Sequence, residues 1–178
     1  MRVPRVVLTF LKKKLMPRTN GLPDEIIGPG YRWRKTSGQL PTGLKNPFLM
    51  RWFIVPKNQL CNIYLHKFMR DDEDRALHNH PWINVSLLLV GRYIEVTRGD
   101  KRVMYQAGEL RFRLPSTGHR IELVRTRKTG HKRTKKQRER GQPSWSLFIT
   151  GPVVRPWGFY CPKGWREQHE FHERKGCE

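Results

Sequence analysis

The feature that most restricts the fold is a succession of strand-length segments, each closed by a glycine- or proline-bearing turn, running from Cys61 to Cys161. Cys61 to Phe68 alternates, with Tyr64, His66 and Phe68 on one face and Ile63 and Leu65 on the other. Val85 to Val90 is an apolar run of strand length, Gly91-Arg92 makes a tight turn, and Tyr93 to Thr97 returns. Gly99-Asp100 turns again into Arg102 to Gln106. Leu110, Phe112 and Leu114 alternate with Glu109, Arg111 and Arg113, which predicts a half-buried strand with its apolar side turned in. His119 to Val124 follows, and Ser144 to Thr150 and Gly158 to Cys161 supply the last strands. About eight short strands with little helical periodicity and no internal repeat predict an all-β, antiparallel barrel or jelly roll.

At 178 residues the chain suits one domain with one core. Residues 1–50 read as a basic, Pro/Gly-rich extension, 51–172 as the barrel, interrupted by a basic loop at 125–141, and 173–178 as a tail. Pro17, Pro23, Pro29, Pro41 and Pro47 with several glycines make 17–47 an extended, loop-rich lead-in. The start, Met1 to Leu11, has an apolar run that Lys12-Lys13-Lys14 cuts short, with no small-residue cleavage site. It predicts a short basic amphipathic helix docked on the domain, with a membrane-surface anchor as the alternative. No segment is long enough to span a bilayer. Cys61, Cys161 and Cys177 are odd in number and irregularly spaced, so reduced thiols in a cytoplasmic setting are expected and a disulfide framework is not.

Chemistry concentrates in His78-Asn79-His80 and in Pro115-Ser116-Thr117-Gly118-His119. Two His at i and i+2 on a strand point to one face, and imidazole is the commonest protein ligand for borderline divalent metals. In His119-Arg120-Ile121-Glu122-Leu123 the alternation turns His119 inward with Ile121 and Leu123. A buried imidazole needs a partner, because an unpaired polar group in a core costs about 1–3 kcal/mol. A metal shared by His78, His80 and His119 is one such partner; the bland alternative is a backbone carbonyl for His119 and an exposed turn for the pair. His66, on the strand before, is a candidate fourth ligand or supporting base, or else a hydrogen-bonded core histidine. Asp71 to Asp74 reads as a solvated turn, with a carboxylate able to orient a ligand His. Trp82, Trp145, Tyr93 and Phe112 are expected in the core, with a substrate platform as the alternative.

These residues resemble the cupin superfamily. Its first motif has a His-x-His pair, a carboxylate three or four residues later, then six residues and a glycine. Here His78 and His80 are followed by Pro81-Trp82-Ile83, Asn84, Val85 to Val90 and Gly91, so the spacing fits and the carboxylate has become Asn84. The second motif runs from a glycine to a His eleven residues on, as Gly108 and His119 do, with Pro115 and Gly118 slightly displaced. The likeness covers roughly residues 51–124 and 143–161. It implies a cupin-type double-stranded β-helix, a metal held by His78, His80 and His119, and Asn84 as a weak fourth ligand or none. Three His without a carboxylate resemble the sites of thiol dioxygenases, a likeness that extends to Leu87 to Glu95 and Gly118 to Glu122. That family's Ser-x-His-x-Tyr relay is missing from Ser144-Trp145-Ser146-Leu147-Phe148, so cysteine oxidation is not implied. Asp71 to Trp82 and Trp157 to Trp165 are similar to segments of small cupin-like proteins of tailed bacteriophages, which implies a host-cytoplasm setting and no particular activity.

The net charge of +21 needs its own account. Arg125 to Arg140 holds nine Lys or Arg against one Glu, a run that repels itself and buries nothing. Arg127, Lys128, Lys132, Arg133, Lys135, Lys136, Arg138 and Arg140 are candidate phosphate contacts for salt-sensitive, sequence-blind binding of DNA or RNA, with a merely solvated hairpin as the alternative. Three function classes follow. One is a mononuclear non-haem metalloenzyme, an oxygenase with Fe(II) favoured and Zn(II), Ni(II) or Mn(II) also suited, acting on a small molecule. The second is a non-catalytic small-ligand or nucleic-acid-associated protein, and the third is a structural barrel. Oligomeric state is not legible.

Overall fold

Period-two alternation and short connections build a protein of strands, and the computed structural model describes residues 1–28, 31–35, 46–72, 76–125, 141–173 and 176–177. In chain order these form α1 (Arg5–Leu15), a 3-10 turn (Met16–Asn20), β1 (Glu25–Gly28), β2 (Tyr31–Arg34), β3 (Leu49–Phe53), β4 (Asn62–Phe68) and β5 (Leu77–His78). They continue with β6 (Asn84–Val90), β7 (Arg92–Thr97), β8 (Lys101–Gln106), β9 (Leu110–Arg113), β10 (His119–Leu123), β11 (Ser144–Thr150), β12 (Gly158–Cys161), β13 (Gly164–Glu167) and α2 (Gln168–Glu173). None of the described helices is long and apolar enough to cross a membrane.

One sheet has the order β2-β1-β3-β4-β11-β6-β9 and the other β13-β12-β5-β10-β7-β8. Taking β4 to β11 as eight successive core strands, the first sheet interleaves the first, eighth, third and sixth, and the second the second, seventh, fourth and fifth. That is the strand order of a jelly roll, or double-stranded β-helix, with antiparallel pairing throughout. The β6–β7 turn depends on Gly91, whose φ of 83° is open to glycine and whose missing Cβ would lie 2.9 Å from the Pro143 carbonyl oxygen.

Between the sheets the interior has two ends. Leu49, Phe68, Leu88, Tyr93, Ile121 and Leu123 fill one. The other is polar and holds the histidines. Outside the first sheet, Leu110, Leu87, Leu147, Leu65 and Trp52 form one cross-strand row over β9, β6, β11, β4 and β3. Leu8, Leu11 and Leu15 of α1 pack on this face, so the amphipathic start docks on the barrel as its pattern predicts.

Four expectations need correction. Residues 25–34 are not loop: β1 and β2 extend the first sheet beyond β3, because Glu25 draws Arg32, Arg34 and Arg51 across the strands in spite of the flanking prolines. β9 is turned the other way from its apolar pattern. Phe112 and Leu114 are 53% and 51% exposed while Arg113 is 2% exposed, because Arg113 meets a buried carboxylate inside. Phe112 is therefore no core residue, whereas Tyr93 is. Finally, Cys161 and Cys177 are bonded to each other. The β12–β13 hairpin and α2 return the chain until their Cα atoms are 5.2 Å apart, a span a disulfide bridges, and the spacing of 16 gave no hint of it. Cys61 is free and exposed.

Candidate metal centre

β5 is two residues long, and its place is secured by the residue between the two histidines. Asn79 is fully buried; its Nδ2 donates to the carbonyls of Pro115 and Pro156, 3.1 Å each. Its Oδ1 accepts from the Gly158 amide at 2.8 Å and from Trp165 Nε1 at 3.0 Å. With Asn79 so tied, His78 and His80 are turned to the opposite side, into the barrel. His78 stands in register with His119 of β10 on one side and Phe159 of β12 on the other. His119 alternates inward with Ile121 and Leu123 as the sequence predicts.

The three imidazoles converge: one nitrogen from each of His78, His80 and His119 lies within 4.8 Å of the others, and the Nε2 atoms of His80 and His119 are 3.0 Å apart. Burial, then the Arg113 guanidinium, pushes His78 and His119 down to about 4. Burial and then its two neighbouring histidines hold His80 well below the ordinary range. All three are therefore neutral at pH 7, the form in which imidazole binds metal.

Behind His119 stands a group that lies outside both histidine motifs. Glu95 of β7 is buried, and its Oε1 lies 3.0 Å from His119 Nδ1. The same carboxylate accepts from Arg113 Nε at 2.5 Å and Arg111 Nε at 2.6 Å. Burial pushes its carboxyl up, but His119 and Arg113 outweigh that and hold it far below the usual range, ionised. The 3.0 Å approach is an ion-pair distance whose angle falls outside a hydrogen bond, and a carboxylate that close still favours the proton on Nδ1 and leaves Nε2 as the lone pair facing His80. Arg113 is itself fully engaged, donating also to Ser86 Oγ at 2.6 Å, Asn84 Oδ1 at 3.4 Å and the Tyr93 hydroxyl at 3.3 Å. Glu95 sharing the inward phase of Tyr93 was the readable hint; for Arg113, in a strand whose apolar phase points out, there was none.

His66 is not brought into the cluster. Its Nε2 accepts from Arg51 Nε at 2.8 Å, and its ring stacks on Tyr64 and on Phe148, whose ring also contacts His80. Burial and then Arg51 keep His66 unprotonated. Arg51 is paired in turn with buried Glu25. Asn84 lies on the inner face of β6 beside Arg113, with its Nδ2 buried and without a partner among the described residues. Asp72 approaches His78 Nδ1 at 4.0 Å while accepting from the Ile121 amide, and Asp71 caps the Leu123 amide. These two are edge caps of β10 rather than a free turn. Trp82 stacks on His80, their ring centroids 6.2 Å apart and planes 13° from parallel. The candidate phosphate contacts from Arg127 to Arg140 lie outside the described residues.

No protein-family model matches this chain, and no curated protein matches it. Solved structures do. A conserved double-stranded β-helix protein from Klebsiella pneumoniae is 11% identical, covering 68% of this chain and 88% of its own, with a TM-score of 0.45. A cupin-like protein from Thermotoga maritima is 13% identical over 70% of this chain and 83% of its own, also at 0.45. A cupin-2 domain protein from Shewanella frigidimarina is 16% identical over 57% and 78%, at 0.41. Likeness of this degree says nothing of activity, and the fold rests on the strand order.

Proposed function

We propose that this chain is a cupin-type protein whose His78, His80 and His119 hold a divalent cation, with positions left over for a small molecule. The observation that carries the reading is the convergence of three neutral imidazoles with Glu95 fixing the tautomer of one. Two nitrogens each about 2.1 Å from one ion and at right angles to it lie about 3 Å apart, which the Nε2 atoms of His80 and His119 match. Three nitrogen donors and no coordinating carboxylate leave an open site, the arrangement of catalysis rather than of a closed structural centre. When bound, such an ion supplies Lewis-acid chemistry or, as Fe(II), oxygen activation, and a mononuclear Fe(II) oxygenase acting on a small molecule is the reaction class we favour. Elemental analysis of protein purified without a metal-binding tag, beside His78→Ala and His119→Ala, is the test. Near-stoichiometric metal lost in both folded variants supports the site, and wild type that stays metal-free after anaerobic reconstitution with Fe(II) refutes it.

The concentrated charge of 125–140 favours a second property, contact with DNA or RNA through phosphates. Neutralising Lys132, Arg133, Lys135 and Lys136 then lowers the salt needed to elute the protein from immobilised DNA, and unchanged elution removes that segment from the account. In a cytoplasmic setting Cys161 and Cys177 would be held reduced. Thiol labelling in acid-quenched cells distinguishes three free thiols from one.

A further inference from the structure

The carboxylates nearest the three histidines are engaged before any cation enters, Glu95 by Arg113 and Asp72 by the Ile121 amide. Facing inward or toward the histidines are the guanidiniums of Arg51, Arg111 and Arg113, set against the carboxylates of Glu25, Glu95 and Asp72. Arg32 and Arg34, also on Glu25, weight the positive side. A dication on the three ligands would therefore stand in a buried site as two uncompensated charges, an arrangement that low dielectric disfavours.

A second observation says where compensation would come from. Asn62 of β4, Thr150 of β11, Asn84 of β6 and Arg113 of β9 form one cross-strand row on the inner face. Asn84 and Thr150 are direct partners in that row and 1% and 2% exposed, so their side chains are close neighbours. Arg113 donates to Asn84 Oδ1, which fixes the amide and leaves Nδ2 as the free end. That Nδ2 and Thr150 Oγ1 are both buried without a hydrogen-bond partner among the described residues. Two orphaned groups side by side are costly, and both can donate. The row is tied to the histidines through Arg113 and Glu95.

We propose that the centre takes its cation together with a small carboxylate anion, whose oxygens accept hydrogen bonds from Asn84 Nδ2 and Thr150 Oγ1. This rests on the metal reading above and adds a ligand class to it. Asn84 is then neither a ligand nor idle: where a carboxylate side chain would neutralise the cation from within the chain, the amide instead invites an anion from outside.

Co(II) is a suitable probe, because its visible spectrum reports coordination. The full chain is titrated with Co(II) in sodium acetate and in sodium perchlorate at equal ionic strength. Acetate is expected to tighten apparent Co(II) binding by about tenfold at saturating anion and to change the Co(II) spectrum. Thr150→Val, close to isosteric, should keep Co(II) binding and lose most of that linkage. Asn84→Asp should bind Co(II) about tenfold more tightly in perchlorate than wild type and show no acetate response. Co(II) binding that is indifferent to acetate in wild type, or linkage undiminished in Thr150→Val, overturns the anion and leaves the metal site standing. Co(II) binding to none of the three proteins overturns both.

Discussion

Glu95 sits where one substitution acts on metal binding and on folding together. Glu95→Gln keeps the shape but loses the charge that holds the proton on His119 Nδ1, and metal affinity should fall by about 10–100-fold in competition with a chromophoric chelator. The same change leaves Arg113 buried beside a neutral amide, so urea unfolding should show a loss of about 3–5 kcal/mol. Acid acts on the same residues. In the metal-free protein His78 and His119 take a proton only near pH 4, whereas unfolded histidine does so near 6.5. Between those values the unfolded chain binds more protons, so stability falls as pH falls from about 6.5 to 4 and these residues add no slope above it. Glu95, held ionised by its partners, adds to the loss below the usual carboxylate range. A urea-unfolding series across pH 4–8 checks the sign. The three histidines were legible because imidazole at i and i+2 and an inward alternation are local signals. Glu95 and Arg113 were not, because what makes them important is a pairing between β7 and β9 that neither segment encodes alone.

At the level of elements, α1 is the cover of the first sheet. Leu8→Ala with Leu11→Ala withdraws two half-buried side chains from the Leu87–Leu65–Trp52 row, which should cost about 1–3 kcal/mol each in denaturant unfolding without altering metal content. The strands were readable in proportion to how cleanly they alternate. β11 and β12 match the expected Ser144–Thr150 and Gly158–Cys161, and β4 and β6 differ from expectation by one residue at the start. β1 and β2 were hidden by proline and glycine, whose turn signal outweighs a four-residue strand. β9 reads in one phase, apolar side in, and the buried carboxylate opposite reverses it.

Across the whole molecule, the last strands and α2 are stapled back onto the barrel. Phe171 of α2 stacks on Phe159, the register partner of His78, and the Cys161–Cys177 bond closes the segment. Replacing both cysteines with serine should lower stability by about 3 kcal/mol, the loop-closure value for roughly this length, read as the difference in unfolding free energy under oxidising conditions. With reductant present, the two proteins should unfold alike. The stacking of Trp82 on His80 reaches further than packing. An indole whose ring centre lies 6.2 Å from the His80 imidazole would be a fluorophore beside any bound ion, so Cu(II) or Co(II), with partly filled d shells, should quench tryptophan emission stoichiometrically while Zn(II) leaves it bright. Loss of that contrast in Trp82→Phe would identify the chain's own optical gauge of occupancy.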